Sequence, residues 1–194
     1  SVEKALIHIG CEVTVTRDPQ VLLAADAAVL PGVGSFGDAM QALRVRGLEE
    51  PIRAFVASGR PFLGICLGLQ ILFESSEESP GVSGLGLLRG KIVRISAGEG
   101  LKIPHMGWNS LDIRRPRGLF ARIPAEPYVY FVHSYYLRAE EDVVTATAEY
   151  GVTIDAAVQK GNLLACQFHP EKSGAVGIEL LRNFAAMAGE GGRG

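Results

Sequence analysis

PFLGICLGLQ, running from Pro61 to Gln70, is the stretch on which the fold turns. Its apolar beginning, Pro61 to Ile65, reads as a buried strand, and Leu67 to Glu74 reads as a helix that follows at once. Between them stands Gly64-Ile65-Cys66-Leu67-Gly68, a G-x-C-x-G pattern. This is the thiol form of a nucleophile elbow, a strand-to-helix turn so tight that side chains on either side would collide. Cys66 falls at a helix N-terminus, where free N–H groups and the helix dipole favour a thiolate. The Leu67 N–H points the same way and can help bind an oxyanion. A bare G-x-C-x-G fits a buried structural cysteine equally well, so the reading depends on finding a base.

That base is sought downstream, in LACQFHPEKSG, Leu164 to Gly174. A buried strand ends at Phe168 and His169-Pro170-Glu171 leave it. A thiol nucleophile needs a base and the base needs an orienting group; active-site residues gather at strand ends in α/β sheets. Pro170 stiffens the turn, and Glu171 can accept the imidazole N–H and set its tautomer. Alone, the pair would read as a surface histidine beside a solvated glutamate; beside an elbow it reads as the rest of a triad. His8, His105 and His133 are weaker candidates, and Cys166 alternates within a buried strand and reads as core.

Upstream of the elbow, Val2, Ala5, Leu6 and Ile9 recur at helical spacing, with Gly10 as a stop. Glu12 to Thr16 alternates like a strand. Ala27 to Leu30 reads as a buried strand ending at Pro31, followed by a loop with Gly32, Gly34 and Gly37. Helical segments follow at Asp38 to Arg46 and Leu48 to Ser58. This alternation argues for a parallel sheet covered on both faces. Beyond Gly84 strand-like runs dominate: Lys91 to Ile95, Tyr128 to Val132, Val143 to Ala148, Val152 to Gln159 and Leu163 to Phe168, several pairing antiparallel through turns such as Tyr150-Gly151 and Lys160-Gly161. A last helix runs from about Val176 to Met187, before a frayed tail, Gly189 to Gly194. The 194 residues read as one mixed α/β domain.

Composition narrows the function classes. The chain is 47% hydrophobic and 21% charged with net charge −2, a globular balance without a nucleic-acid surface. No apolar run reaches the roughly 20 residues of a membrane span, and SVEKALIHIG does not resemble a signal peptide, so the expected location is the cytoplasm. Cys11, Cys66 and Cys166 form neither a metal-ligand pair nor a disulfide framework.

The elbow LGICLGLQ, the loop PGVGSFGDAM at Pro31 to Met40 and FHPEKSG together resemble the triad-type, class I glutamine amidotransferases. HMGWN at His105 to Asn109 and YFVHSYY at Tyr130 to Tyr136 narrow the resemblance to the glutaminase subunits of imidazole glycerol phosphate synthase. The five motifs occur in that family's order and span nearly the whole chain. The resemblance implies a flavodoxin-like single domain, a central largely parallel sheet with helices on both faces and antiparallel strands in its C-terminal half. It implies a Cys66–His169–Glu171 triad that hydrolyses glutamine through a thioester. It implies an oxyanion hole from Leu67 and from Gly32, Val33 and Gly34, the Val33 N–H turning in by a peptide flip. Gln70, Glu78 (or its neighbour Glu77), Ser134 and Tyr135 would contact glutamine. The partner would be a (β/α)₈-barrel cyclase subunit in a heterodimer, met by Trp108, Asn109 and Lys172; no metal or organic cofactor is implied. Another triad glutaminase, or a non-catalytic regulatory subunit, remains open at this point. As ordinary structure, Gln70 and Ser134 would be polar residues at element ends, Glu78 part of a solvated acidic run, and Trp108 a lone core tryptophan.

The family usually begins with a strand and an Asp-Tyr-Gly-x-Gly-Asn-Leu-like stretch, whereas this sequence starts at Ser1-Val2-Glu3. That strand lies inside the family's sheet. The expectation is one glutamine amidotransferase domain over 1–194 without that strand, less stable than a complete homologue or prone to swap or aggregate.

Overall fold

The computed structural model describes residues 1–96 and 98–191. Its centre is a six-stranded sheet built from β1 (Ala28–Leu30), β2 (Phe62–Ile65), β6 (Asp112–Ile113), β9 (Val144–Glu149), β10 (Thr153–Lys160) and β11 (Leu163–Cys166), in the order β1-β2-β11-β10-β9-β6. β1, β2 and β11 run parallel. β10, β9 and β6 extend the sheet antiparallel, with turns at Tyr150-Gly151 and Gly161-Asn162. The parallel centre with antiparallel additions follows the sequence reading.

Strand alternation splits the core in two. From β2, Leu63 and Ile65 enter one core and Phe62 the other; from β11, Leu164 and Cys166 enter the first, Leu163 and Ala165 the second. The first core takes Leu6 of α1 (Val2–His8) and Leu180, Leu181 and Phe184 of α6 (Gly174–Gly191). The second takes Phe36, Met40 and Leu43 of α3 (Phe36–Val45), and Ile52 and Phe55 of α4 (Glu49–Ala57). Both faces of the central strands are therefore covered, as parallel strands require. Two smaller ribbons flank this core. One is β3 (Ser75–Ser76), β4 (Gly90–Arg94) and β8 (Tyr135–Ala139); the other is β5 (His105–Ser110) paired antiparallel with β7 (Tyr128–His133).

Helix ends follow local chemistry. Gly10 (φ +96°) stops α1: its N–H bonds the Ile7 carbonyl at 2.9 Å and that of Cys11 bonds Leu6 at 3.0 Å, so two end carbonyls are satisfied. A helix not expected, α2 (Pro19–Ala24), is capped by Asp18, whose carboxylate accepts from the Gln20 N–H, with Pro19 at its first position.

Three expectations are corrected. Glu12 to Thr16 forms no strand. Cys11 and Val13 do lean on the core, but among the described residues no partner meets this segment, Val15 is 75% exposed, and β1 is the sheet's edge. Alternation without a ladder does not make a strand. The helix after the elbow, α5 (Leu67–Gln70), ends four residues early. The carbonyls of Ile71, Leu72 and Phe73 bond instead to the N–H groups of Leu85, Leu87 and Gly86, a return of the chain that lies outside the local sequence. The tail expected to fray is helical through Gly191; residues 192–194 lie outside the described residues.

Candidate active site

Because β1, β2 and β11 are parallel, their carboxyl ends share one edge of the sheet, the edge where α/β sheets bind ligands. β1 delivers Pro31 to Gly34 there, β2 delivers Cys66, and β11 leads through Gln167 and Phe168 to His169. Ile65 lies opposite Cys166, and the Cys66 N–H bonds the Cys166 carbonyl at 2.8 Å.

At the elbow Cys66 has φ 56° and ψ −110°, a conformation L-residues seldom take. Of the residues Pro61 to Gln70 it alone is not fully buried. The glycines are there for space: a Cβ on Gly64 would meet the Gly68 carbonyl oxygen at 2.6 Å, and one on Gly68 would meet the Leu30 carbonyl oxygen at 1.9 Å. With only four residues in α5, little dipole reaches the sulfur. Sγ lies 3.6 Å from Gln167 Nε2 and 4.0 Å from the Val132 carbonyl oxygen.

His169 Nδ1 and Glu171 Oε1 are 2.7 Å apart, with the two side chains 7% and 4% exposed. The carboxylate can only accept from Nδ1, so the ring's other proton site is Nε2, which is buried without a hydrogen-bond partner among the described residues. Burial alone would lower the pKa of His169. The Cys66 sulfur and Glu171 outweigh it and raise the imidazole to about 9, which favours an imidazolium beside the sulfur. β7 holds the turn. Tyr130's carbonyl accepts from the His169 N–H at 3.0 Å, its N–H donates to Ser173 Oγ at 3.0 Å, and that hydroxyl donates to the His169 carbonyl at 2.6 Å. Ser173, not singled out from the sequence, clamps the His169 turn; only a three-dimensional neighbour reveals it. Cys166 is fully buried, and burial pushes its thiol well above the usual range, consistent with core.

The Pro31–Gly34 loop lies against the elbow, with the Gly32 α-carbon so close that a Cβ there would sit 3.1 Å from Leu67 Cβ. Gly34 has φ +98°, and the Val33 side chain is 90% exposed. The loop's far end is tied down: the Phe36 N–H donates to Glu78 Oε1 at 2.7 Å and the Gly37 N–H to Ser79 Oγ at 2.8 Å. Glu78 is thus half-buried beside the loop, whereas Glu77 turns to β4, accepting from the Arg94 N–H at 2.8 Å. Gln70 is buried next to the elbow and donates to the Tyr135 carbonyl at 3.1 Å. Ser134 and Tyr135 occupy the corner between β7 and β8.

The β5–β7 ribbon has two faces. His105 stands opposite His133 on the buried face. Met106, Trp108 and Tyr128 occupy the other, 61%, 57% and 62% exposed. Trp108 is therefore not a core residue. It contacts the Tyr130 ring edge-on, Lys172 Nζ stands 5.9 Å over the same ring, and Gly174 lies beside the indole. Asn109 turns inward, donating to the Glu149 carbonyl at 2.9 Å. No group of three potential ligands for a metal ion occurs among the described residues.

An elbow cysteine, a carboxylate-held histidine and a glycine loop thus meet at one sheet edge, and the chain belongs to the glutamine amidotransferase class-I family, whose pattern matches residues 1–188. A solved structure described as a glutamine amidotransferase superposes with a TM-score of 0.75 at 25% identity, covering 97% of this chain and 92% of that one. Among curated relatives, the imidazole glycerol phosphate synthase subunit HisH of Syntrophotalea carbinolica is 51% identical, covering 96% of this chain and 94% of that protein. The protein of the same name from Methanothermobacter thermautotrophicus is 52% identical, covering 96% and 92%.

Proposed function

We infer that this chain is the glutaminase subunit of an imidazole glycerol phosphate synthase, working in histidine biosynthesis. The observation that carries the chemistry is the Cys66 sulfur at a strained elbow beside a buried imidazole whose Nδ1 is held by Glu171. The Cys66 sulfur attacks the side-chain amide carbon of glutamine. The oxygen's developing charge is met by the Leu67 N–H and, after a peptide flip between Gly32 and Gly34, by the Val33 N–H. His169 passes its proton to the leaving nitrogen, and the C–N bond breaks to give ammonia and a thioester. Water then adds to the thioester, giving its proton to His169, and glutamate leaves as the thiol is restored. Glu171 holds the imidazole throughout. Gln70, Glu78, Ser134 and Tyr135 surround the glutamine.

Ammonia passes to a (β/α)₈-barrel cyclase subunit, which makes imidazole glycerol phosphate and aminoimidazole carboxamide ribotide. Support for a partner comes from the relatives' names and from the exposed face of Met106, Trp108 and Tyr128 with Lys172 beside it. No described helix is long and apolar enough to cross a membrane; the reading places the pair in the cytoplasm.

The test is glutamate release from glutamine, by the chain alone and with a cyclase subunit carrying its nucleotide substrate, beside Cys66→Ala. Release that depends on the partner and vanishes in the variant is expected. Strong release without a partner would keep the triad but assign the chain to a different amidotransferase, and unchanged release from Cys66→Ala would remove Cys66 as nucleophile.

A further inference from the structure

Gln167 has no exposed surface, and its amide is suspended between two groups. Its Nε2 lies 3.6 Å from Cys66 Sγ, and its Oε1 accepts from Gln70 Nε2 at 3.0 Å. Which end of a buried amide faces a sulfur is set by the network around it. Here that network is anchored by an atom that cannot change role, the Tyr135 carbonyl oxygen. It accepts from Gln70 Nε2 at 3.1 Å and faces His133 Nδ1 at 2.9 Å.

A carbonyl only accepts, so Gln70 must present its NH₂ group there. That NH₂ also meets Gln167, whose oxygen therefore turns toward Gln70 and whose own NH₂ turns toward the sulfur. The reverse orientation would set two donors against each other and an oxygen against Cys66. The same carbonyl requires a proton on His133 Nδ1. In the neutral ring Nε2 is then an acceptor, and it lies 2.9 Å from His105 Nδ1, which must donate. His105 Nε2 is left to accept, 3.4 Å from Asn109 Nδ2. Both rings are buried, and His105 is stacked between Phe131 and Tyr150 at 4.6 and 4.1 Å. Burial lowers both imidazoles to about 4, so the neutral, single-tautomer arrangement holds through the neutral range. One chain of hydrogen bonds thus runs from Asn109, between the exposed Trp108 and Ser110 of β5, to the nucleophile.

We propose that Gln167 is an N–H donor to the Cys66 sulfur that stabilises its thiolate, and that His133 and His105 are positioning residues that fix the donor's direction through the Tyr135 carbonyl and Gln70. This deepens the glutaminase reading and rests on it for the use of the thiolate. An N–H bond to an anion is stronger than one to a neutral acceptor, so the donor acts on the thiolate more than on the thiol. The titratable groups around the sulfur are His169 with Glu171 behind it, Cys166 on β11 and, beyond His169, His133.

Alkylation of Cys66 by iodoacetamide reads the thiolate without any glutamine turnover, and mass spectrometry separates it from Cys11 and Cys166. Gln167→Glu puts an acceptor where the donor was; Gln167→Met removes the donor at similar size. Both are expected to slow alkylation at pH 7 by about tenfold. His133→Leu should slow it about threefold or more, and His133→Asn, whose amide can replace Nδ1 toward the Tyr135 carbonyl, should restore it to within about twofold. Near-ultraviolet circular dichroism confirms that each variant is folded. Folded Gln167→Glu and Gln167→Met proteins that alkylate like the wild type at pH 7 would overturn the proposal, as would a His133→Asn variant as slow as His133→Leu. Glutamate release is measured in parallel. A protein that shows no release even with the cyclase subunit and its nucleotide substrate present, but whose alkylation still responds to Gln167, would sink the glutaminase reading and leave the donor in place.

Discussion

His169 on one side, and His105 and His133 on the other, titrate in opposite directions, so pH pulls the stability of the chain from both ends. His105 and His133 are held neutral by burial down to about 4, whereas in the unfolded chain each would take a proton near 6.5. As pH falls from 6.5 to 4 the unfolded state binds protons that the native state does not, and stability falls. Each ring contributes at most about 3 kcal/mol to that loss. His169 has the opposite sign. Its pKa rises to about 9 in the fold, despite burial, because of the Cys66 sulfur and Glu171. Its stabilisation is fully present below 6.5 and is lost as pH rises through 9. The urea midpoint is therefore expected to peak between pH 6 and 7 and decline toward pH 4.5 and toward pH 9. In His133→Asn one titrating ring is gone, so the drop between pH 6.5 and 4.5 should shrink. An acid limb as steep as in the wild type would mean that the buried histidines do not set it.

Among the elements, the elbow was the most legible in sequence because its constraint is local. Gly64 and Gly68 lie two residues from Cys66 on either side, and each is required by a backbone oxygen that a Cβ would strike. The strands β2, β9, β10 and β11 were readable for a related reason, since their buried runs are bounded by turns that residue type signals. What was not readable depends on distant segments. The length of α5 is set by the return of residues 85–87, and the loss of the Glu12–Thr16 strand by the want of a partner. β5 carries Gly107 and alternates weakly; it is a strand because β7 pairs with all six of its residues. The proposed triad is legible as motifs, whereas Gln167 and Ser173, equally near it, make contacts that only the folded chain creates. Gly68→Ala probes the elbow directly. Its Cβ would stand 1.9 Å from the Leu30 carbonyl oxygen, a backbone atom that cannot rotate away. The substitution is expected to cost about 3 kcal/mol or more, read from the urea midpoint, and to slow Cys66 alkylation with it. A stable Gly68→Ala protein with wild-type alkylation would show that the turn has slack its geometry does not suggest.

At the scale of the whole molecule, the proposed triad and the proposed partner face are two sides of one small piece of structure. Trp108 stands opposite Tyr130 in the β5–β7 ribbon. The backbone of Tyr130 holds His169 and Ser173, and its ring lies under Lys172, one residue beyond Glu171. A partner seated on Met106, Trp108 and Tyr128 would press on the strand that positions His169, the proposed catalytic base, so an ammonia acceptor and the proposed glutaminase site could sense each other without a long path. Trp108 is the proposed anchor: large, rigid and 57% exposed, it contributes little to the core and would contribute much to a contact that buries it. Trp108→Ala is therefore expected to leave the melting transition nearly unchanged while weakening association with the cyclase subunit by about tenfold to a hundredfold, measured by calorimetric titration. Lys172→Ala, which removes a charge at the edge of the same face, should weaken it less, and its effect should fade as salt is raised. If Trp108→Ala binds as tightly as the wild type, the partner sits elsewhere and the exposed ribbon face must serve another purpose. If it instead lowers the melting temperature sharply, the indole is holding the Tyr130–Lys172 corner together rather than standing free for a partner.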